Sequence, residues 1–154
     1  SITIPEMRSR CRRMQMEHGL DLIMVDYLQL MSSGRRIENR VQEVSEMTRA
    51  LKIMAKELNV PLIVLSQLAR KTEDRKDGRP QLSDLRESGS IEQDADSVLF
   101  LVNDALATGE PERQNIMKIV VGKNRHGETG TVEVEWSGKY TKFSSLEKRY
   151  DAPM

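Results

Sequence analysis

The chain of 154 residues is long enough to form a domain with a hydrophobic core, since 38% of its residues are hydrophobic and 31% are charged. Its 24 basic residues are balanced by 24 acidic ones, so the whole chain does not attract nucleic acid and any basic site must be local. Aromatic residues make up only 4%, which argues against base stacking on a row of rings, and one cysteine with two distant histidines makes neither an internal disulfide nor a zinc site.

The first half of the chain predicts a helix, a strand, a second helix and a second strand. The first helix has Thr3 as its cap and Gly19 as its end. Residues 20–25 and 60–67 are short apolar stretches, typical of strands that are covered on both faces. Between them lies an amphipathic helix whose apolar residues recur every three or four positions: Val41, Val44, Met47, Leu51, Met54 and Leu58. Strand, helix and strand form a βαβ unit, so the two strands are predicted to be parallel.

The second half predicts short helical turns followed by strands. The segment "QLSDLRESGSIEQDAD" indicates one or two helical turns that are broken at Gly89. Residues 97–102 are predicted to form a third strand, and residues 115–136 two strands joined by a turn. Residues 139–143 are predicted to add an edge strand. We therefore predict an α/β fold with a mainly parallel sheet, flanked by helices and ending in an antiparallel hairpin.

Polar residues lie at the ends of both predicted parallel strands. Asp26 comes at the end of the first strand, and Ser66 and Gln67 are the last residues of the second, at the edge where open α/β sheets bind ligands. An apolar strand that ends in Asp has the form of a Walker B element, whose carboxylate holds the Mg²⁺ of a nucleotide. Gln67 could sense a γ-phosphate or orient water. Both residues also allow structural roles, because Asp caps turns and Gln forms hydrogen bonds within loops.

Two cations lie close together in the segment "VGKNRHGETG". Lys123 and Arg125 are two residues apart on a strand that runs into a turn, so both side chains are expected on the same side. They could reach phosphates held by a neighbouring subunit, as arginine fingers do. A basic, solvated hairpin tip is the alternative interpretation.

A third candidate is the segment "RESGS", residues 86–90. Gly89 lets the backbone approach a phosphate, and short helical turns present amide N–H groups to anions. Together with Arg86, these amides would hold a nucleic-acid strand by its phosphates, irrespective of sequence. A solvated loop is the alternative.

In the order and spacing of four segments, the chain resembles the carboxyl-terminal part of the DnaB-type replicative DNA helicases, over essentially all of residues 1–154. The segments are "GLDLIMVDYLQLM", "VPLIVLSQLAR", "RPQLSDLRESGSIEQDAD" and "VGKNRHGETG". The resemblance implies one portion of a RecA-like, ATP-hydrolysing motor that forms a homo-hexameric ring, translocates on single-stranded DNA and unwinds the duplex at the replication fork. It also implies primase and a helicase loader as partners. The single cysteine fits a reducing cytosol and no apolar run approaches the length of a membrane span, so we expect a cytoplasmic location and no membrane partner.

The resemblance also assigns roles to single residues. Asp26 corresponds to the Walker B ligand of Mg²⁺, and Gln67 to a link between the γ-phosphate of ATP and the loops that face DNA. Lys123 and Arg125 correspond to a finger pair that enters the ATP site of the next subunit. Contact with the DNA backbone is assigned to three residues of one loop: Arg86, Glu87 and Gly89.

A glycine-rich phosphate loop ending in Gly-Lys-Ser/Thr does not occur in the 154 residues. In the family that this chain resembles, that loop, the catalytic glutamate and an amino-terminal collar precede the matching segment, so we expect the chain alone to be inactive. Two alternatives remain open: another RecA-like ATPase, such as a recombinase or clock-type ring protein, and a non-catalytic module that docks on a helicase ring. A glycine-rich loop encoded in frame upstream of Ser1 favours the helicase, and a start codon there favours the module.

Overall fold

The chain forms two compact units in its structure, a computed structural model that describes residues 2–34, 37, 39–68, 80–85, 89–103, 105, 109 and 113–146. The helical unit comprises Ser1–Ala69 and Leu82–Ala95. The sheet unit comprises Arg70–Gln81 and Asp96–Met154.

The helical unit contains the predicted βαβ arrangement. Short 3-10 helices cover Leu28–Leu30 and Leu82–Asp84. Its main elements in chain order are α1 (Ile4–His18), β1 (Ile23–Val25), α2 (Arg40–Leu58), β2 (Leu62–Val64) and α3 (Gly89–Asp94). Strands β1 and β2 pair in parallel, with Ile23 opposite Leu62 and Val25 opposite Val64. The predicted parallel pair is therefore confirmed.

Both long helices begin at side chains that satisfy free backbone N–H groups. The Thr3 hydroxyl accepts a hydrogen bond from the Glu6 N–H, and the Glu6 carboxylate accepts one from the Thr3 N–H, which is a capping box. Asn39 caps α2 by accepting from the Val41 N–H at 2.9 Å. Gly19 ends α1 with a φ of 81°, a conformation that favours glycine. The predicted cap and end of α1 are confirmed.

The core of the helical unit lies on one face of the β1–β2 sheet. Ile23 and Val25 are buried against α1 and α2, whereas Met24 between them is 65% exposed. Ile63 on β2 is exposed as well. The prediction that both faces of these strands are covered is wrong for this chain, because α1 and α2 pack on the same core and the alternate side chains point away from it.

The sheet unit is a four-stranded antiparallel sheet in the order β3-β4-β5-β6. Its strands are β3 (Ser97–Asn103), β4 (Ile116–Asn124), β5 (Gly130–Ser137) and β6 (Lys142–Ser145). Val98 lies opposite Lys123, whereas Leu99 lies opposite Val121, so Gly122 is an extra residue in β4 and forms a bulge. The predicted α/β class and hairpin are confirmed. Only β1 and β2 of the described strands are parallel, however, because β3 pairs with β4 and so belongs to the antiparallel sheet.

Candidate functional site

Asp26 lies on a turn that the neighbouring strand holds in place. The Leu65 N–H donates to the Val25 carbonyl at 2.9 Å, and the Leu28 N–H donates to the Leu65 carbonyl at 2.9 Å. These two bonds continue the β1–β2 ladder past the ends of the strands on either side of Asp26. The Asp26 carboxylate is exposed, and within the described part of the chain no group forms a hydrogen bond or an ion pair with it. The turn therefore presents a carboxylate to solvent on a fixed backbone.

Gln29 connects this turn to the end of β2. Its Nε2 donates to the Ser66 Oγ at 3.0 Å and to the Gln67 carbonyl at 3.4 Å, and its Oε1 accepts from the Gln67 N–H at 3.4 Å. The side-chain amide thus contacts both backbone polar groups of Gln67. The Gln67 side chain is exposed and has no hydrogen-bond partner among the described residues. Asp26 and Gln67 therefore both lie beyond the carboxyl ends of the paired strands β1 and β2, at the edge that the parallel arrangement predicts.

An ion pair at the start of α2 supports Gln29. The Arg40 Nη2 donates to the Gln29 carbonyl at 3.2 Å, and the Arg40 Nη1 lies 2.6 Å from the Glu43 carboxylate. Glu43 also accepts from the Ser33 N–H at 3.2 Å. The hydrogen bond from Arg40, followed by that from Ser33, lowers the pKa of the Glu43 carboxyl below its ordinary value. Glu43 therefore stays ionised and keeps Arg40 in place.

The predicted finger pair lies in the sheet unit. Lys123 is half-buried near the end of β4, directly after the Gly122 bulge, and Arg125 is the first residue beyond the strand. The Arg125 N–H donates to the Asp96 carbonyl at 2.8 Å, and its Nη1 forms an ion pair with the Asp96 carboxylate at 3.1 Å. Asp96 thus holds both the backbone and the guanidinium of Arg125.

The turn after β4 is organised by Asn124. Its Oδ1 accepts from the His126 N–H at 3.4 Å, and its Nδ2 donates to the Glu128 carbonyl at 3.3 Å. A Cβ atom on Gly127 would lie 2.8 Å from the Asn124 Nδ2, so a side chain at that position would displace this amide. The hairpin tip that carries Arg125 therefore has a defined conformation.

The predicted DNA loop falls mostly beyond the described residues. Arg86 and Glu87 lie outside the described ranges, and Gly89 is the first residue of α3. The last residue of α3 is tied to α2, because the buried Thr48 hydroxyl donates to the Asp94 carboxylate at 2.8 Å. This bond fixes the end of the short helix that follows the loop.

The donor set at the strand edge fits one kind of metal. Among the described residues, no group of three or more His, Cys, Asp or Glu side chains could hold a metal ion. Asp26 alone matches the way proteins bind Mg²⁺ together with a nucleotide, through one or two carboxylates, waters and the phosphates. Asp26 therefore fits a Mg²⁺ ion that a nucleotide brings with it, whereas the described residues form no cluster that would hold a metal by protein ligands alone.

Sequence reasoning missed two residues that contact the predicted site. Gln29 contacts Gln67, and Asp96 contacts Arg125. Gln29 lies three residues after Asp26, and Asp96 lies one residue before β3. These positions gave only a weak signal, since the tertiary fold alone shows which residue each side chain contacts. No described helix is long and apolar enough to cross a membrane.

Comparison with known proteins yields one family. The family model of the DnaB-like helicase C-terminal domain matches residues 1–145. The chain is 52% identical over 152 residues to the replicative DNA helicase DnaB of Geobacillus stearothermophilus, covering 98% of this chain and 34% of that protein. It is 52% identical over 151 residues to the replicative DNA helicase DnaC of Bacillus subtilis, covering 97% of this chain and 33% of that protein. The chain thus spans about a third of the length of the curated relatives that it matches.

Solved structures are similar to this chain as well. A DnaB-like replicative helicase, whose structure describes its interactions with primase, has a TM-score of 0.88 and 41% identity, covering 94% of this chain and 36% of that chain. A separately solved ATPase domain also has a TM-score of 0.88 and 41% identity, covering 94% of this chain and 52% of that one. The predicted RecA-like fold is confirmed by this similarity.

Proposed function

The chain belongs to the family of DnaB-like helicase C-terminal domains, and we propose from this membership that residues 1–154 are the carboxyl-terminal portion of a RecA-like helicase motor. The protein that contains this portion, here called the parent helicase, hydrolyses ATP, translocates on single-stranded DNA and unwinds duplex DNA at the replication fork. It works in the cytoplasm as a homo-hexameric ring, with primase and a helicase loader as partners.

One observation carries the proposal: two polar side chains at adjacent strand ends are free of described partners while their backbones are fixed. Asp26 follows β1 and Gln67 follows the extension of β2, and backbone or side-chain hydrogen bonds hold both turns. Unpaired polar groups on a fixed frame are suited to bind a ligand, since no internal bond has to break first. The topology supports the same site, because ligands of open α/β sheets bind at the carboxyl ends of the strands.

In this proposal Asp26 holds Mg²⁺, and Gln67 contacts the γ-phosphate of ATP. Bound Mg²⁺ would neutralise negative charge on the phosphates as that charge shifts during phosphoryl transfer. The exposed Asp26 carboxylate supplies the hard oxygen ligand that Mg²⁺ prefers. Gln67 supplies an amide that can donate to a phosphate oxygen. Along the chain Gln67 precedes the segment that leads to α3, so a change in the bound nucleotide would be passed through Gln67 to the residues that contact DNA.

Lys123 and Arg125 are the proposed finger pair that acts on the ATP of the adjoining subunit. The guanidinium of Arg125 would stabilise charge on the transferred phosphoryl group, and Lys123 would add a second cation. The Gly122 bulge and the Asp96 contacts support this role, since they hold the hairpin tip in one conformation. A site completed by a neighbouring subunit requires subunits that assemble head to tail, and we take the hexameric ring from the family that this chain resembles.

Arg86, Glu87 and Gly89 are the proposed contacts to the backbone of single-stranded DNA. Binding through phosphates fits a chain whose aromatic content is only 4%, and because the charges of the chain balance overall, the contact is proposed to be local. The glycine-rich phosphate loop is not among the 154 residues, so the chain by itself is expected neither to bind ATP tightly nor to hydrolyse it.

The test compares Asp26→Asn with Asp21→Asn in the parent helicase. Both substitutions neutralise an exposed carboxylate near β1, but Asp21 lies before the strand and Asp26 after it. Asp26→Asn is expected to lower Mg²⁺-dependent ATP turnover by at least about a hundredfold, because it removes the metal ligand. Asp21→Asn is expected to stay within about twofold of the unsubstituted protein. Equal turnover in both variants would remove Asp26 from the metal site, and an inactive unsubstituted parent would favour the docking module.

A further inference from the structure

We propose that Gln29 is a positioning residue that sets the place of Gln67 in the ATP site. This inference rests on the proposed function, because the place of Gln67 matters for turnover only if Gln67 meets a nucleotide. Gln29 would act through Gln67 and would not touch the nucleotide itself.

The side chain of Gln29 contacts both backbone polar groups of Gln67. The Gln29 amide donates to the carbonyl of Gln67 and accepts from its N–H, both at 3.4 Å, and it donates to the Ser66 Oγ at 3.0 Å. Gln67 lies three residues beyond the end of β2, where the strand ladder no longer holds the backbone. The amide of Gln29 therefore takes over the restraint that the sheet provides up to Leu65.

Gln29 is itself held in place, so it can restrain the position of Gln67. It lies in the middle of the 3-10 helix Leu28–Leu30, beside the buried Leu28. Its carbonyl accepts from Arg40 at 3.2 Å, and Arg40 is fixed by the carboxylate of Glu43. A half-buried amide on such a support loses little conformational entropy when it binds Gln67, because it is already ordered.

Described residues bind the backbone of Gln67 but not its side chain, and this difference indicates a functional side chain. Its backbone groups are both bound by Gln29, whereas its side chain is exposed and without a described partner. A residue needed only to close the turn would gain from using its side chain there as well. A fixed backbone with a free amide instead places that amide at a reproducible distance from a ligand. Misplacement of a catalytic group by about 1 Å can cost about a hundredfold in rate.

The experiment uses Gln29→Met in the parent helicase, with Gln15→Met as the matched control. Methionine retains the approximate length of the side chain and removes its hydrogen bonds. Gln15 is also a half-buried glutamine whose Nε2 donates to a backbone carbonyl, that of Leu58 at 2.8 Å, but it lies on α1. A purely structural role would give both variants the same phenotype. Thermal unfolding of both variants is measured beside turnover.

We expect Gln29→Met to lower the kcat of DNA-stimulated ATP hydrolysis by roughly tenfold or more, with the KM for ATP within about twofold. Gln15→Met is expected to leave both constants unchanged. In a Gln67→Ala background, Gln29→Met is expected to lower kcat by less than about twofold further, because the side chain that it positions has already been removed.

The inference is overturned if Gln29→Met turns over ATP like Gln15→Met, or if it retains its full effect in the Gln67→Ala background. If Gln29→Met does not fold, Gln29→Glu replaces it, since a carboxylate can still accept from the Gln67 N–H but cannot donate to its carbonyl. Unchanged kcat in Gln29→Glu overturns the inference, and a lowered kcat supports it. Failure of the proposed function is a separate result, because in that case the unsubstituted parent itself hydrolyses no ATP.

Discussion

Replacing Arg125 by alanine separates the stability of the hairpin from its action on a neighbouring subunit. In the structure Arg125 forms an ion pair with Asp96 at 3.1 Å, and the two side chains are 44% and 45% exposed. An ion pair with this exposure contributes at most about 1 kcal/mol, since water screens it. Arg113 offers a matched control, because it pairs with Glu133 at 2.8 Å and the two side chains are 36% and 42% exposed.

The expected effect on turnover is far larger than the effect on folding. Loss of an arginine finger lowers kcat by about 10³ to 10⁵, which corresponds to roughly 4 to 7 kcal/mol of transition-state stabilisation. We therefore expect Arg125→Ala in the parent helicase to lose at least about a thousandfold in ATP turnover while nucleotide binding is nearly unchanged. Arg113→Ala should show a similar small change in the free energy of unfolding and retain its turnover. Equal loss of turnover in both variants would refute the finger role.

The assay that decides between subunits mixes Arg125→Ala with Asp26→Asn. If the arginine acts in trans, an Arg125→Ala subunit still offers an intact Asp26 site, and an adjoining Asp26→Asn subunit still offers an intact arginine. In rings formed from equal amounts of the two variants, about a quarter of the interfaces then pair an intact Asp26 with an intact Arg125. ATP turnover of the mixture should therefore rise well above that of either variant alone. If the mixture shows no recovery, Arg125 serves its own subunit and the trans assignment is wrong.

Two further substitutions test the DNA loop and the support of Gln29. Arg86→Ala in the parent helicase should weaken binding of all single-stranded sequences alike and lower the slope of log K against log salt by roughly 0.7, as expected for one phosphate contact; an unchanged slope removes Arg86 from the DNA contacts. Glu43→Gln should destabilise the chain by roughly 1 kcal/mol at pH 7, because hydrogen bonds to a charged group are lost. The pKa of Glu43 in the folded chain lies below its ordinary value of 4.5, so this difference should be fully present above pH 4.5 and shrink as the pH falls through the lowered pKa. Urea unfolding at several pH values measures it, and a difference that grows toward acid contradicts the lowered pKa.

Local sequence signals predicted the helices well because short-range chemistry decides them. Thr3 and Gly19 mark the two ends of α1 through capping and through a positive φ. The apolar stripe of α2 predicted a buried face that includes Met47 and Met54, whereas Val41 at its start is 50% exposed. The strand ends at Asp26 and Gln67 followed from the same reasoning, since a parallel βαβ unit brings both to one edge.

Features that depend on tertiary packing could not be predicted in the same way. An apolar run does not say how many of its faces are covered, and Met24 is exposed although it lies between two buried residues. The strand pattern of residues 97–102 contains no information on whether its partner is parallel or antiparallel. The contacts of Gln29 and Asp96 join residues that are distant along the chain or separated by a whole hairpin. Such pairings follow from register, which one sequence does not reveal.

A structure of the parent helicase with Mg²⁺, a non-hydrolysable ATP analogue and single-stranded DNA tests the central claim most directly. We predict that the Asp26 carboxylate lies beside the metal, directly or through one water, and that Arg125 from the adjoining subunit reaches the γ-phosphate. Metal and nucleotide bound away from the ends of β1 and β2, or an Arg125 that points away from every subunit boundary, would contradict the account.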